Sequence, residues 1–218
     1  MNKLQEKIMN AEHCILVDKD DNIIGFDTKK NCHLITKGLK LHRAFSVFLF
    51  DKDNRLLLQK RSSDKITFPD YWANTCCSHP LHIEGETNGI EGVKNAARRK
   101  LEQELGIKPN QIPLDCLTFI TRIHYKAICN DDIWGEHEID YILICKPPEN
   151  IILNINPNEV SQVKYFCQEE LTQFMHNKEL KSPWFNLIEE YFLYKWWNNL
   201  LNNKSNINTK YINKIYRL

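Results

Sequence analysis

No apolar run in this 218-residue chain approaches the roughly 20 residues that a membrane-spanning helix requires; Ala44–Phe50 and Ile139–Cys145 are among the longest. The amino-terminal MNKLQEKIMN is polar and lacks the apolar centre of a secretory signal. Charge of one sign is not in excess either. The 29 Lys+Arg against 28 Asp+Glu leave a formal net charge of +1, too little for an extended nucleic-acid footprint or a polybasic membrane anchor, while leaving room for a local basic pocket. There is no C-x-x-C pair, no internal repeat and no long Gly/Ser- or Pro-rich linker. The eight cysteines therefore read as free thiols in a reducing compartment, mostly packed as small hydrophobes. These absences lead to the expectation of a soluble cytoplasmic monomer without nucleic-acid or membrane partners. The final Tyr-Arg-Leu matches a peroxisomal address only in its last two positions, which makes the peroxisome the alternative.

What the sequence does contain is enough apolar material, 42% of residues, to bury a sizeable core. The reading is one domain over residues 1–200, with its core at about 42–182, followed by an Asn-rich C-terminal arm over 201–218 held at Ile215-Tyr216. Ala44–Phe50 and Arg55–Gln59, separated by the polar Asp51–Asn54, predict a β-hairpin. Val93, Ala97, Leu101 and Leu105 recur every four residues and predict a helix over Gly92–Leu105, with Gly106 as its C-cap. Leu117–Lys126, Glu138–Cys145 and Val163–Phe166 read as strands. Helices are expected over Gln168–Leu180 and, after the Ser182-Pro183 start signal, over Trp184–Leu200. Strands and helices without strict alternation indicate an α+β fold, a mixed β-sheet sandwich with flanking helices.

Chemistry-bearing residues concentrate in three stretches: Lys29–His33 with Leu41–Arg43, Asn74–Pro80, and Trp134–Asp140. In an extended strand Glu136 and Glu138 project together while His137 points away, and Cys77 shares a face with His79. Two carboxylates held that close repel unless a cation or a shared proton relieves them. With His33 and His42 the set becomes three imidazoles and two carboxylates, a donor mixture suited to Zn²⁺ or Mn²⁺ in more than four-coordinate geometry. A single histidine is more often a surface or satisfied core residue, and Glu-x-Glu is often a solvated face. Spacing alone leaves both readings open.

The blocks LHRAFSVFLF, NTCCSHP and WGEHEIDYI, in this order, closely resemble the type 1 isopentenyl diphosphate isomerases of the Nudix superfamily, from about Cys14 to YKWW. That resemblance implies a Nudix-like fold and the interconversion of isopentenyl and dimethylallyl diphosphate in isoprenoid biosynthesis, by protonation of an alkene and loss of a neighbouring proton. It implies Cys77 and Glu138 as catalytic residues assisted by Tyr125. It implies a divalent metal (Mg²⁺, Mn²⁺ or Zn²⁺) on His33, His42, His79, Glu136 and Glu138. By the same resemblance Lys29, Arg61, Lys65 and Ser78 bind the substrate diphosphate and Trp184 lines the substrate pocket. The Nudix signature R-E-U-x-E-E-x-G-U aligns with Arg99–Ile107, where Lys100 and Gln103 replace two glutamates. Glu104 remains, and the resemblance gives it one Mg²⁺ bound with the substrate diphosphate. Lost carboxylates remove the means to assemble several ions and activate a hydrolytic water. The competing readings are a Nudix hydrolase of another diphosphate and a non-enzymatic, metal-stabilised binding module.

Overall fold

The computed structural model describes residues 3–201 and 214–218. In chain order the regular elements are α1 (Lys3–Ala11), β1 (His13–Val17), β2 (Ile23–Thr28), α2 (Lys29–His33), β3 (His42–Leu49), β4 (Leu56–Arg61), β5 (Trp72–Ala73) and β6 (Cys76–Ser78). They continue with α3 (Gly89–Leu105), β7 (Leu117–Ile128), β8 (Gly135–Cys145), β9 (Val160–Phe166), α4 (Gln168–Met175), α5 (Pro183–Ile188), α6 (Tyr194–Leu201) and β10 (Ile215–Arg217).

β3 and β8 form the middle of the molecule. All eight residues of β3 are buried, and in β8 only His137 escapes full burial, the profile of strands covered on both faces. They run parallel, His42 opposite Glu138 through Leu49 opposite Cys145. The larger sheet runs β10-β7-β8-β3-β1-β2, with β6 also pairing with β3; a smaller one runs β5-β4-β9. With helices against the sheets, this is the expected α+β, mixed-sheet class.

Side-chain alternation divides the core in two. Phe45, Val47, Ile139, Tyr141 and Leu143 point to a cluster closed by Val93, Ala97, Leu101 and Leu105 of α3. Phe48, Ile142 and Ile144 point the other way, to Trp184, Phe185, Ile188, Leu193, Trp196 and Trp197 of the C-terminal helices. On this second face the rungs Phe48–Ile144 and Ser46–Ile142 give way to Ala44–Asp140 and His42–Glu138. The apolar row thus turns polar at one end of the central strand pair.

The expected helix over Gly92–Leu105 is present and begins three residues earlier. Gly106 closes it at φ 68°, its N–H reaching the carbonyls of Leu101 and Glu102. The expected hairpin is not present. β3 and β4 enter different sheets and share only the Phe50–Leu56 bridge, because β8 takes one edge of β3 while β6 and β1 take the other. α4 ends at Met175, short of Leu180, where the chain crosses to β5: Leu180 O accepts from Trp72 N at 2.8 Å. Instead of one helix after Ser182-Pro183, α5 and α6 are joined by a π-helical turn at Glu189–Leu193. The extra residue in that turn lets Ile188, Leu193, Trp196 and Trp197 share a buried side. Ile215 and Tyr216 are held, as expected, in a parallel pairing of β10 with β7; residues 202–213 of the predicted arm lie outside the described residues. Among the described residues no helix is long and apolar enough to cross a membrane.

Candidate active site

Each donor of the predicted cluster reaches the polar end of the sheet from a different element. His42 and Glu138 face each other across β3 and β8, Glu136 lies two residues up the same face, and His79 follows β6. α2 is only five residues long, capped by Thr28 Oγ1 accepting from Asn31 N at 3.2 Å; it carries His33 inward. The three imidazole centroids are 4.8–5.0 Å apart. One ligating atom from each of the five residues falls within 4.8 Å of all the others, and all five residues are buried.

Hydrogen bonds select the tautomers. His33 Nδ1 lies 2.6 Å from Lys29 O and His42 Nδ1 2.7 Å from Lys40 O. A carbonyl only accepts, so Nδ1 carries the proton and Nε2 turns a lone pair to the cluster. His33 Nε2 is 2.7 Å from Glu136 Oε2, and His79 Nε2 is 2.7 Å from Glu138 Oε1. Among the described residues His42 Nε2 has no hydrogen-bond partner, its nearest carboxylate being Glu138 Oε1 at 3.6 Å. Two carboxylates and three imidazoles, all buried and within one coordination shell's span, fit a divalent metal: bonds of about 2.0–2.2 Å put opposite ligands about 4.2 Å apart. Burial disfavours charge on His42, but Glu138 raises it to about 9, so without metal a proton supplies the missing cation. Burial drives His79 well below the usual range, which keeps its imidazole neutral.

Beside this cluster lies a cavity lined by every residue expected at the site except His42 and Glu104. Tyr125 stands opposite Glu138 in the β7–β8 ladder, and its hydroxyl donates to Oε2 at 2.6 Å. Cys77 stands opposite Ser46 in the β3–β6 ladder. Burial pushes its thiol up to about 12, opposed by Arg61, whose Nη1 is 3.7 Å from Sγ. Arg61 is itself buried, donating to Thr67 O at 2.7 Å and Phe68 O at 3.0 Å, with its guanidinium 5.5 Å from the Trp184 ring centroid. Lys65 pairs with Glu159 at 2.5 Å and Lys29 with Glu12 at 3.0 Å. Ser78 is buried on the cavity wall. Glu104 lies behind that wall, with Oε2 3.6 Å from Cys76 Sγ.

Several contributors were not anticipated. Asn74 accepts from Trp184 Nε1 at 3.0 Å and donates to Val47 O and Cys76 O, so it ties the indole to β3 and β6. Gln5 and Met9 of α1 also line the cavity, and Gln5 donates to Glu159. Asn74 sits inside the NTCC block and could have been flagged there; the α1 residues carry no local signal.

The NUDIX domain model matches residues 40–187. The chain is similar to the isopentenyl-diphosphate delta-isomerase of Schizosaccharomyces pombe, 54% identical over 85% of this chain and 83% of the relative. It is similar to isopentenyl-diphosphate Delta-isomerase 1 of Bos taurus, 53% identical over 87% and 86%, and to the chloroplastic isopentenyl-diphosphate Delta-isomerase 1 of Cannabis sativa, 47% identical over 92% and 72%. The structure of DR0079 from Deinococcus radiodurans shares the fold, with a TM-score of 0.56 at 15% identity, covering 84% of this chain and all of that one. The fold and the matched model thus define a NUDIX-domain protein with a buried His/Glu centre suited to a divalent metal. Within that class, the chain belongs to the isopentenyl-diphosphate delta-isomerases.

Proposed function

We propose that this isomerase interconverts isopentenyl and dimethylallyl diphosphate between Cys77 on one side of the substrate and the Glu138–Tyr125 pair on the other. The carrying observation is that Cys77, Glu138, Tyr125 and Trp184 share one cavity with Lys29, Arg61 and Lys65. An unactivated alkene is a very weak base, so its proton donor must act out of contact with water. In the forward direction Glu138, with Tyr125, gives the proton and Cys77 takes one from the neighbouring carbon. Cys77 must ionise before it accepts, and Arg61 beside Sγ favours the thiolate. The cationic intermediate is shielded by the cavity and faced by Trp184, whose ring stabilises positive charge by about 2 kcal/mol when desolvated.

Arg61, Lys29, Lys65 and Ser78 hold the diphosphate, Arg through its fork and Lys as point charges. Glu104 is the residue that would hold a Mg²⁺ ion bound with the diphosphate. His33, His42, His79, Glu136 and Glu138 would hold a divalent cation (Mg²⁺, Mn²⁺ or Zn²⁺), whose positive charge would set the acidity and orientation of Glu138. The test is incubation of metal-loaded protein with isopentenyl diphosphate and Mg²⁺ in D₂O, followed by proton NMR of the vinyl signals. Dimethylallyl diphosphate carrying deuterium is the expected product. Unchanged substrate from folded, metal-loaded protein would overturn the reading, and release of phosphate would turn it to hydrolysis.

A further inference from the structure

An aromatic ring attracts a cation over its face, so a ring that is to steady a cationic intermediate has to be held at one angle. Trp184 is buried, and the side chains around it are two rings and a guanidinium. Phe68 and Tyr125 have ring centroids 5.6 and 6.3 Å from that of Trp184, and the Arg61 guanidinium lies 5.5 Å from it. The directional contact is the indole N–H, which donates to Asn74 Oδ1 at 3.0 Å.

Asn74 is fully buried in the connection between β5 and β6. Its Nδ2 donates to Val47 O of β3 at 3.1 Å and to Cys76 O of β6 at 2.9 Å. Carbonyls only accept, so both amide hydrogens are spent on the strands and the amide oxygen is left facing the indole. The strands, not the tryptophan, thus fix the direction of the amide. Thr75 holds the adjoining backbone, its Oγ1 donating to Leu57 O at 2.6 Å and accepting from Leu49 N at 2.9 Å. The main chain leading into α5 is attached independently: Trp72 N donates to Leu180 O and Ser182 N to Trp72 O, both at 2.8 Å. The bond from Trp184 to Asn74 adds a side-chain rung to that ladder, so breaking it leaves the start of α5 attached while the ring is freed.

We propose that Asn74 is a positioning residue for the isomerisation: it sets the angle of the Trp184 ring toward the reacting carbons and, through Cys76 O, ties that ring to the strand that carries Cys77. This rests on the isomerase reading above and deepens it. Accepting the indole proton also leaves the ring more electron-rich, which strengthens its pull on positive charge. Both effects act as charge develops on the alkenyl carbons and leave the residues assigned to the diphosphate untouched, so they belong to kcat and not to KM. The amide is the group that serves here. Leucine offers no acceptor, and aspartate would set a second oxygen against the carbonyls of Val47 and Cys76.

The test is a cycle of variants. Parent, Asn74→Leu, Trp184→Phe and the double variant are compared in turnover of isopentenyl diphosphate. Asn74→Leu should lower kcat about tenfold and keep KM within about twofold. In the Trp184→Phe background, which keeps an aromatic face without the N–H, adding Asn74→Leu should lower kcat by less than about threefold. An equal loss in both backgrounds would overturn the proposal, because Asn74 would then act through the strands alone. A further variant leaves Asn74 in place: the benzothiophene analogue of tryptophan at position 184 keeps the ring shape and lacks the N–H. It should also lose about tenfold in kcat, and parental kcat there would overturn the proposal even if Asn74→Leu fails to fold. Proton NMR of the indole N–H in isotope-labelled protein, with Trp184 assigned by its loss in Trp184→Phe, reads the bond without turnover. The signal should lie downfield in the parent and move upfield in Asn74→Leu; an unmoved signal would overturn the proposal. Failure of the isomerase assignment would appear separately, as a parent protein with the downfield signal that does not isomerise.

Discussion

Replacing Tyr125 with phenylalanine removes one oxygen atom from the catalytic cavity and leaves the packing otherwise unchanged. The lost group is the phenol that donates to Glu138 Oε2 at 2.6 Å, with both residues buried. Burial first, and then the charge of Glu138, hold the phenol well above its ordinary range, so it remains a donor throughout the working pH range. A hydrogen bond to a charged partner is worth about 1.5–3 kcal/mol, and each 1.36 kcal/mol in a barrier is about tenfold in rate. Tyr125→Phe should therefore lower kcat roughly 10- to 150-fold. KM should stay within about twofold, because the residues assigned to the diphosphate are untouched. Burial raises the pKa of Glu138, but His42 and Tyr125 outweigh it and hold the carboxyl below its usual range. Without the phenol that pKa rises, so the feature of the pH–rate profile belonging to Glu138 should move to higher pH. The assay is deuterium incorporation followed by NMR, alongside metal content by mass spectrometry. A kcat within twofold of the parent would refute the reasoning. So would metal loss in proportion to activity, since the phenol would then act only by supporting the cluster.

Cys77→Ala should reduce turnover by about a thousandfold while pyrophosphate affinity and metal content stay at the parental level; surviving turnover would remove the thiol from the mechanism. Chelation should leave the buried His/Glu donors uncompensated and lower the melting temperature by roughly 5–10 °C, restored by divalent metal; an unchanged melting curve would mean that the cluster is stable without an ion. Glu12 is held at about 2, burial raising its pKa but Lys29 and Lys100 lowering it more. Its pairing with Lys29 therefore stabilises the fold above pH 4.5, the ordinary value, and fades as pH falls toward about 2. Glu12→Gln should cost about 2–3 kcal/mol at pH 7 and much less at pH 2 by denaturant titration, and an equal cost at both would refute the ion pair.

The sequence was most informative where one element decides the pattern. The α3 stripe of Val93, Ala97, Leu101 and Leu105 is buried as its spacing predicts, and Glu136 and Glu138 share a face while His137 turns out to meet Leu39 O and the ring of His124. The hairpin expectation failed because two strands and a polar turn say nothing about which edges are already occupied. β8 comes from far along the chain to take one edge of β3, and β6 and β1 take the other. The π-helical turn was hidden for a related reason: it is selected by the packing of Leu193, Trp196 and Trp197, not by local propensity. The cluster donors stood out because histidine and paired carboxylates are rare among apolar residues, whereas Glu12 and Glu159 look like ordinary surface charges until Lys29 and Lys65 are found beside them. Gln5 meets Glu159 across 154 positions of sequence, a separation at which composition and periodicity carry no information.

The position of β8 between β7 and β3 also has a consequence for how the protein is made. A growing chain that has emerged only as far as α3 already holds His33, His42 and His79, but neither carboxylate of the cluster. The bond that joins His79 to Glu138 in the centre spans 59 residues, and the neighbouring bond from Ser46 to Asp140 spans 94. They form only when a late strand inserts between two earlier ones, one of them in parallel register, which is a slow event because chain entropy is lost before contacts repay it. Metal captured during synthesis by the three imidazoles alone would be held weakly. Tight uptake would mark the moment when β8 joins the central sheet, so the appearance of bound metal can serve as a clock for that step of folding.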